Sequence, residues 1–337
     1  MMKAIRHLVL AVAGSVVMGM VASPASANPP AYSSIVAFGD SLSDNGNFAA
    51  LVGGLFPSPA YGYAQGRFSN GPVAVEYLAQ SLGIGLTDFA VGGARTGPSL
   101  DSSSDNYADD SGEAAAFNLP ANYFNGTGVR AQVDTYLALT HNAADANALY
   151  FVWAGPNDFF LPASLINPQT AANALDNLQL SITTLYAAGA RSFLVPNMAN
   201  LGLTPALLGE GSLASGLATY RSVEYNTGLA LMLGQLGQNL VGAQFHTADV
   251  FGLLNSAGLN PGQYGLTDVT TPCQTLDGCP ADPAGYLFWD DVHITTAGHQ
   301  IVAGAFAAAL APVPEAQTWA MLLAGMALLG LTRRARS

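Results

Sequence analysis

Five short apolar runs, at residues 33–38, 88–91, 148–154, 191–196 and 243–248, alternate with longer stretches whose apolar positions recur at helical spacing. The runs are too short for helices, and three of them stop at glycine: Phe38 before Gly39, Val91 before Gly92-Gly93, Ala154 before Gly155. Between them the spacing predicts helices over 71–82, 129–139, 169–188, 213–240 and 295–310, the last with Thr295 or Thr296 as its N-cap. Alternation of this kind implies one α/β domain, a three-layer α/β/α sandwich with a mainly parallel five-stranded sheet covered on both faces.

Both ends read as addresses. Lys3 and Arg6, the apolar stretch 8–21 and the small-residue site Ala25-Ser26-Ala27 form a secretory signal pattern over residues 1–27, so the mature chain is expected to start at Asn28. At the other end Val313-Pro314-Glu315 precedes the apolar run 320–331 and the cluster Arg333, Arg334 and Arg336, a stop-transfer pattern. Residues 313–337 resemble the PEP-CTERM sorting tail of Gram-negative bacteria that export polysaccharide, with Ala316 where that pattern has a second proline. The resemblance implies an exosortase as a partner beside the secretion machinery; a plain single-pass anchor is the alternative. Either way the chain is expected to be exported, to the periplasm, the cell surface or the medium, with transient anchoring in the inner membrane through the tail.

The segment between the addresses, 28–312, holds five basic residues, all Arg, against 21 acidic ones, a net charge of −16. Such a surface repels polyanions and excludes a nucleic-acid partner. Cys273 and Cys279 sit in a proline-flanked loop of an exported chain, which predicts a local disulfide, and two thiols are too few for a structural zinc site. The stretch 97–128, with Asp101, Asp105, Asp109, Asp110 and Glu113, reads as an acidic solvated loop; a calcium site is the sharper alternative, but the spacing fits no EF-hand.

Ligands of an open parallel sheet bind at the carboxyl ends of its strands. The residues that follow the predicted strands are therefore the ones to inspect. They are Gly39-Asp40-Ser41-Leu42-Ser43-Asp44, then Gly92-Gly93, then Gly155-Pro156-Asn157-Asp158, and, before the last helix, Asp290-Asp291-Val292-His293. Taken singly, each is ordinary turn or cap chemistry. Together they supply what acyl transfer needs. A serine needs a base to become a nucleophile, histidine titrates in the right range, a carboxylate fixes its tautomer, and N–H groups stabilise the oxyanion. The Gly-x-Ser-x-Gly elbow of the α/β-hydrolases is absent from the domain.

In that order the four blocks resemble those of the GDSL esterases and lipases, the SGNH hydrolases, over about residues 33–311. Gly66-Arg67-Phe68-Ser69-Asn70-Gly71 resembles the branch holding plant GDSL lipases, autotransporter esterases and phospholipid–cholesterol acyltransferases. The resemblance implies a flavodoxin-like sheet, no metal and no cofactor. It makes Ser41 the nucleophile and one oxyanion donor through its own N–H. Gly92 is the second donor, with Gly93 as the competing alignment, and the Asn157 amide is the third. His293 is the general base and Asp290 its orienter, with Asp291 as the rival. His246 is expected to be a satisfied core histidine and His299 a surface or packing residue. The implied activity is hydrolysis of a carboxylic ester, whether lipid, short-chain ester or acetylated glycan. Acyl transfer to an alcohol and O-deacetylation of exported polysaccharide are the alternatives within that chemistry. A catalytically silent surface or matrix protein is the alternative outside it.

Overall fold

The first apolar run becomes β1 (Ser34–Gly39), and its alternation divides the molecule. Side chains of a strand point to opposite faces in turn. Val36 and Phe38 enter one core with Tyr150, Val152 and Phe193, while Ile35 and Ala37 enter the other with Leu149, Phe151 and Leu194. A computed structural model describes residues 32–102, 104–275, 279 and 283–311 of the 337; the signal and tail segments lie outside these.

In chain order β1 leads to α1 (Asn47–Leu51), α2 (Ala74–Leu82) and β2 (Gly85–Asp88). Next come α3 (Tyr107–Ser111), α4 (Glu113–Ala116), α5 (Val129–Leu139) and β3 (Leu149–Trp153). They are followed by α6 (Pro162–Ile166), α7 (Thr170–Ala188) and β4 (Ser192–Leu194). The chain continues through α8 (Pro205–Gly209), α9 (Ser212–Asn239), β5 (Gln244–His246), α10 (Val250–Leu259) and α11 (Thr296–Leu310). The sheet order is β2-β1-β3-β4-β5 and every pairing is parallel. Helices α5, α7 and α9 pack on one face, and α2, α10 and α11 on the other. This is the expected three-layer sandwich, in the flavodoxin-like order.

The differences from expectation have physical causes. Strand β2 overlaps the predicted run 88–91 only at Asp88, because it is an edge strand whose residues alternate between half-buried and exposed and so present no apolar run. Residues 89–91 still follow β1, with Phe89 N–H donating to Ala37 O (2.9 Å) and Val91 N–H to Gly39 O (3.2 Å). Helix α10 forms where the apolar spacing predicts none; Asp249 caps it by accepting the N–H of Gly252. The stretch 97–128 is not simply a solvated loop. It carries α3 and α4, Asp105 is buried and takes the N–H groups of Gly126 and Thr127, and Asp110 pairs with the buried guanidinium of Arg95. Thr295, rather than Thr296, caps α11. No described helix is long and apolar enough to cross a membrane.

Candidate active site

The order 2-1-3-4-5 sends the loop after β1 to one side and the loop after β3 to the other, which opens a crevice at the carboxyl ends of these two central strands. Gly39 ends β1 there. A Cβ on it would lie 2.5 Å from Trp153 O on β3, so only glycine lets the two strand ends close up. The side-chain amide of Gln132 pairs with both polar groups of Gly39, accepting its N–H (2.9 Å) and donating to its carbonyl (2.8 Å).

Ser41 sits in the turn that follows, which the Asp40 carbonyl closes by accepting the N–H groups of Ser43 (3.0 Å) and Asp44 (2.9 Å). The buried Asp44 carboxylate organises the next stretch. Its Oδ1 accepts the N–H of Gly46 and Asn47, and its Oδ2 those of Phe48 and Gly92.

His293 reaches Ser41 from the other end of the chain. A short antiparallel bridge between Phe288 and Ile294, with Trp289 N–H on His293 O (2.8 Å), folds residues 288–294 into a tight reversal. Within it Asp290 Oδ1 accepts the N–H of Val292 (2.9 Å) and His293 (2.7 Å), an Asx turn that accounts for the three-residue spacing. His293 Nδ1 lies 2.9 and 2.8 Å from the two Asp290 oxygens, and Nε2 lies 2.7 Å from Ser41 Oγ. A carboxylate only accepts, so Nδ1 carries the ring proton and Nε2 presents its lone pair to the serine hydroxyl. Asp291, the rival orienter, is exposed and makes no contact with the imidazole.

Burial pulls His293 down, but the Asp290 charge and its hydrogen bond outweigh this and hold the imidazole above its ordinary value. Burial likewise pushes the Asp290 carboxyl up, and the His293 charge with the hydrogen bonds onto it holds it below the usual carboxylate range. Asp40 is different. One of its oxygens accepts Leu42 N–H (3.0 Å), the other has no partner, and burial pushes its carboxyl up to about 7.

The oxyanion side departs from expectation at one residue. The Gly92 N–H points inward, donating to Asp44 Oδ2 at 2.8 Å, and is not free for a ligand. Gly93 lines the crevice instead. Its φ of +73° is a left-handed value, and a Cβ there would lie 2.4 Å from Asn106 Oδ1, so the position requires glycine. Asn157, in the turn after β3, also lines the crevice and donates to Ala94 O (3.0 Å) with one of its two amide hydrogens.

Around the site, Tyr63, Trp289 and Thr96 belong to none of the blocks read in the sequence, while Phe68, Asp158 and the expected Cys273–Cys279 disulfide do. The buried Tyr63 hydroxyl donates to Asp290 Oδ2 at 2.8 Å, and burial together with the Asp290 charge keeps its proton on. Tyr63 packs with Trp289 and with Cys273, which forms a disulfide with Cys279. The Phe68 ring lies 4.9 Å from the His293 ring. The Asp158 carboxylate takes both the N–H and the hydroxyl of Thr96, lacing the Gly93 segment to the Asn157 turn. Of the other described histidines, His141 is exposed in the turn after α5, and His246 and His299 lie elsewhere. His299 is fully buried in α11 as a packing residue, accepting Ala74 N–H at Nδ1, and the half-buried His246 contacts Ala309 O and the Tyr32 hydroxyl. Among the described residues no group of three His, Cys, Asp or Glu side chains is placed to hold a metal ion.

Over residues 35–306 the sequence matches the family described as GDSL-like lipase/acylhydrolase. Esterase EstA of Pseudomonas aeruginosa is 30% identical over 336 residues, an alignment covering 87% of this chain and 49% of the relative. A GDSL esterase/lipase of Arabidopsis thaliana is 28% identical, over 79% of this chain and 84% of the relative. The chain thus spans about half the length of the Pseudomonas esterase and most of the plant protein. Among solved structures, a lipolytic G-D-S-L family member from Veillonella parvula superposes with a TM-score of 0.44 at 14% identity, covering 81% of this chain and 94% of that one.

Proposed function

The chain belongs to the GDSL-like lipase/acylhydrolase family, and on that premise we propose that it is an exported serine esterase working through an acyl-enzyme on Ser41. The observation that carries this reading is the unbroken relay from Ser41 Oγ to His293 Nε2 (2.7 Å) and from Nδ1 to the Asp290 carboxylate (2.8 Å).

His293 takes the hydroxyl proton as Ser41 Oγ attacks the ester carbonyl, and Asp290 stabilises the imidazolium that forms. The N–H groups of Ser41 and Gly93 and the second amide hydrogen of Asn157 receive the negative charge on the tetrahedral oxygen. Gly93 replaces Gly92 in this role because the Gly92 N–H is committed to Asp44. The imidazolium then protonates the leaving alkoxide. Water, deprotonated by the same ring, attacks the acyl-enzyme and releases the acid. Tyr63 acts one step back, holding Asp290 in place.

Residues 28–312 form the hydrolase domain of this proposal, residues 1–27 the export signal and residues 313–337 the sorting tail, read from their charge and apolar patterns. The test is Ser41→Ala. Hydrolysis of p-nitrophenyl butyrate and labelling by a fluorophosphonate probe should both vanish while the circular dichroism spectrum stays that of the parent. Undiminished hydrolysis by the folded variant overturns the assignment.

A further inference from the structure

The crevice at Ser41 is larger and more lopsided than an ester bond requires. It encloses about 960 Å³, at the upper end of the roughly 300–1,000 Å³ that hold a drug-sized ligand. The strand order puts the loops after β3, β4 and β5 on one side of Ser41 and the loops after β1 and β2 on the other. Phe48, Phe68, Tyr107 and Glu113 line the β2 side. The β4/β5 side is mainly aliphatic, with Leu165 of α6, Leu207 of α8, Leu217 of α9 and Leu254 of α10 among its walls beside Asn200, Asn255 and the exposed Glu210 between α8 and α9. Its mouth is aliphatic too. Ile166, Leu208, Leu213 and Leu259 all line the crevice and yet stay exposed, Leu213 at 86% and Leu259 at 81%. Single exposed aliphatics are unremarkable, but four that line one crevice are not scattered singly. The charges lining the crevice are one-sided: Asp40, Glu113 and Glu210 are present, and no Arg or Lys lines it among the described residues.

We propose that the aliphatic half between α6, α8, α9 and α10 is an acyl channel, and that the substrate is a neutral ester of a medium- to long-chain fatty acid rather than an acetate or an anionic lipid. The proposal rests on Ser41 being the nucleophile, because it is the acyl carbonyl at Ser41 that sets where the channel begins. A two-carbon acyl group would leave the channel walls in contact with water. Each methylene that enters is worth about fourfold in apolar transfer. An anionic head group would meet carboxylates with no cation to offset them.

The experiment compares kcat/KM for p-nitrophenyl esters from acetate to hexadecanoate, and for acetate esters of alcohols of increasing length. It uses the parent, Ala214→Trp and Ala206→Trp. Both alanines line the crevice at half-buried positions, on α9 and α8, so the added rings fill the channel from two separate helices. The parent should favour dodecanoate over acetate at least tenfold. Each tryptophan should lower that ratio at least tenfold, and alcohol length should matter little. Monododecanoylglycerol should be cleaved at least tenfold faster than its phosphorylated counterpart. A parent that prefers acetate or butyrate overturns the proposal. So does a dependence on alcohol length instead of acyl length, equal loss at every chain length in both folded variants, or equal cleavage of the phosphorylated ester. Ser41→Ala separates the two readings: activity lost in that variant but short-chain preference in the parent removes the channel alone, and activity retained removes the esterase assignment itself.

Discussion

Replacing Asp290 by Asn keeps the side-chain shape and removes the charge, and the structure says which way the new amide will turn. Val292 and His293 both donate backbone N–H groups to Oδ1, at 2.9 and 2.7 Å. Those two donors require an acceptor, so the amide oxygen takes the Oδ1 position and the NH2 takes the Oδ2 position. The NH2 then donates to His293 Nδ1, which lies 2.8 Å from Oδ2. With the NH2 against Nδ1 and the Tyr63 hydroxyl turned to accept from it, the favoured tautomer carries its proton on Nε2, facing Ser41 Oγ across 2.7 Å, where a lone pair is needed. The same inversion costs about 10⁴ in turnover in a serine-protease triad, and a loss of that order is expected here. KM should change little, since Asp290 does not line the crevice. The pH profile supplies a second readout. In the parent the Asp290 charge and hydrogen bond outweigh burial and hold the imidazole above its ordinary value. With that charge gone, burial dominates and the imidazole stays neutral to lower pH, so the acid limb of the residual kcat/KM moves downward. Steady-state hydrolysis of p-nitrophenyl butyrate across the neutral range, with circular dichroism as the fold control, measures both. A loss of less than tenfold, or an acid limb that moves upward, refutes the reasoning.

Four further outcomes follow from single residues. Tyr63→Phe removes a donor to the Asp290 carboxylate at 2.8 Å; a hydrogen bond to a charged group is worth about 1.5–3 kcal/mol, and kcat should fall about tenfold with KM unchanged, a fall in KM-dependent binding alone being the contrary result. Asn157→Ala removes the proposed side-chain oxyanion donor and should lower kcat by about 10²–10³, whereas Gly92→Ala, aimed at an N–H already held by Asp44, should act through its clash with the Phe68 ring and lower the thermal midpoint. Asp40 has its folded value raised to about 7 against an ordinary 3.8. The folded chain therefore holds a proton that the unfolded chain has lost between those values, and Asp40 contributes stability at low pH that fades as the pH rises through 7. In Asp40→Asn the urea midpoint should fall less between pH 5 and 8 than in the parent, and an identical slope would show that Asp40 titrates normally.

The parts of the site legible in the sequence are those where chemistry demands a residue type at a strand end. Ser41, Asn157 and the Asp290–His293 pair each follow a strand or precede a helix entry, and their short-range turns could be read locally. What could not be read depends on distant partners. Gly92 and Gly93 are identical in type, and what distinguishes them is that the Gly92 N–H is taken by Asp44, 48 residues away. Tyr63 meets Asp290 across 227 residues, and nothing near Tyr63 marks it as other than a loop aromatic. Within the fold, β2 went astray because an edge strand needs no apolar run, and α10 because Gly252 and Gly258 interrupt its helical pattern.

The acidity of the domain takes a different meaning once these contacts are placed. Loops at the carboxyl ends of parallel strands leave N–H groups that no ladder pairs, and buried ones must find acceptors. Here aspartates supply them. Asp44 serves Gly46, Asn47, Phe48 and Gly92, Asp88 serves Asn45 and Ala90, and Asp105 serves Gly126 and Thr127. Asp158 serves Thr96, and Asp290 serves Val292 and His293. A carboxylate suits this because its two oxygens offer about four lone-pair sites and no donor that could compete. Asp40, Asp44, Asp105 and Asp158 are all buried. The formal −16 of residues 28–312 therefore overstates the surface charge, and part of it is the framework of the site. At Asp44 and Asp88, where both oxygens accept an N–H, an Asp→Asn exchange does more than remove charge: it turns an acceptor into a donor against an N–H. The same side chains that make the sequence look like an acidic, soluble surface thus fix the loops on which Ser41, Gly93 and Asn157 depend.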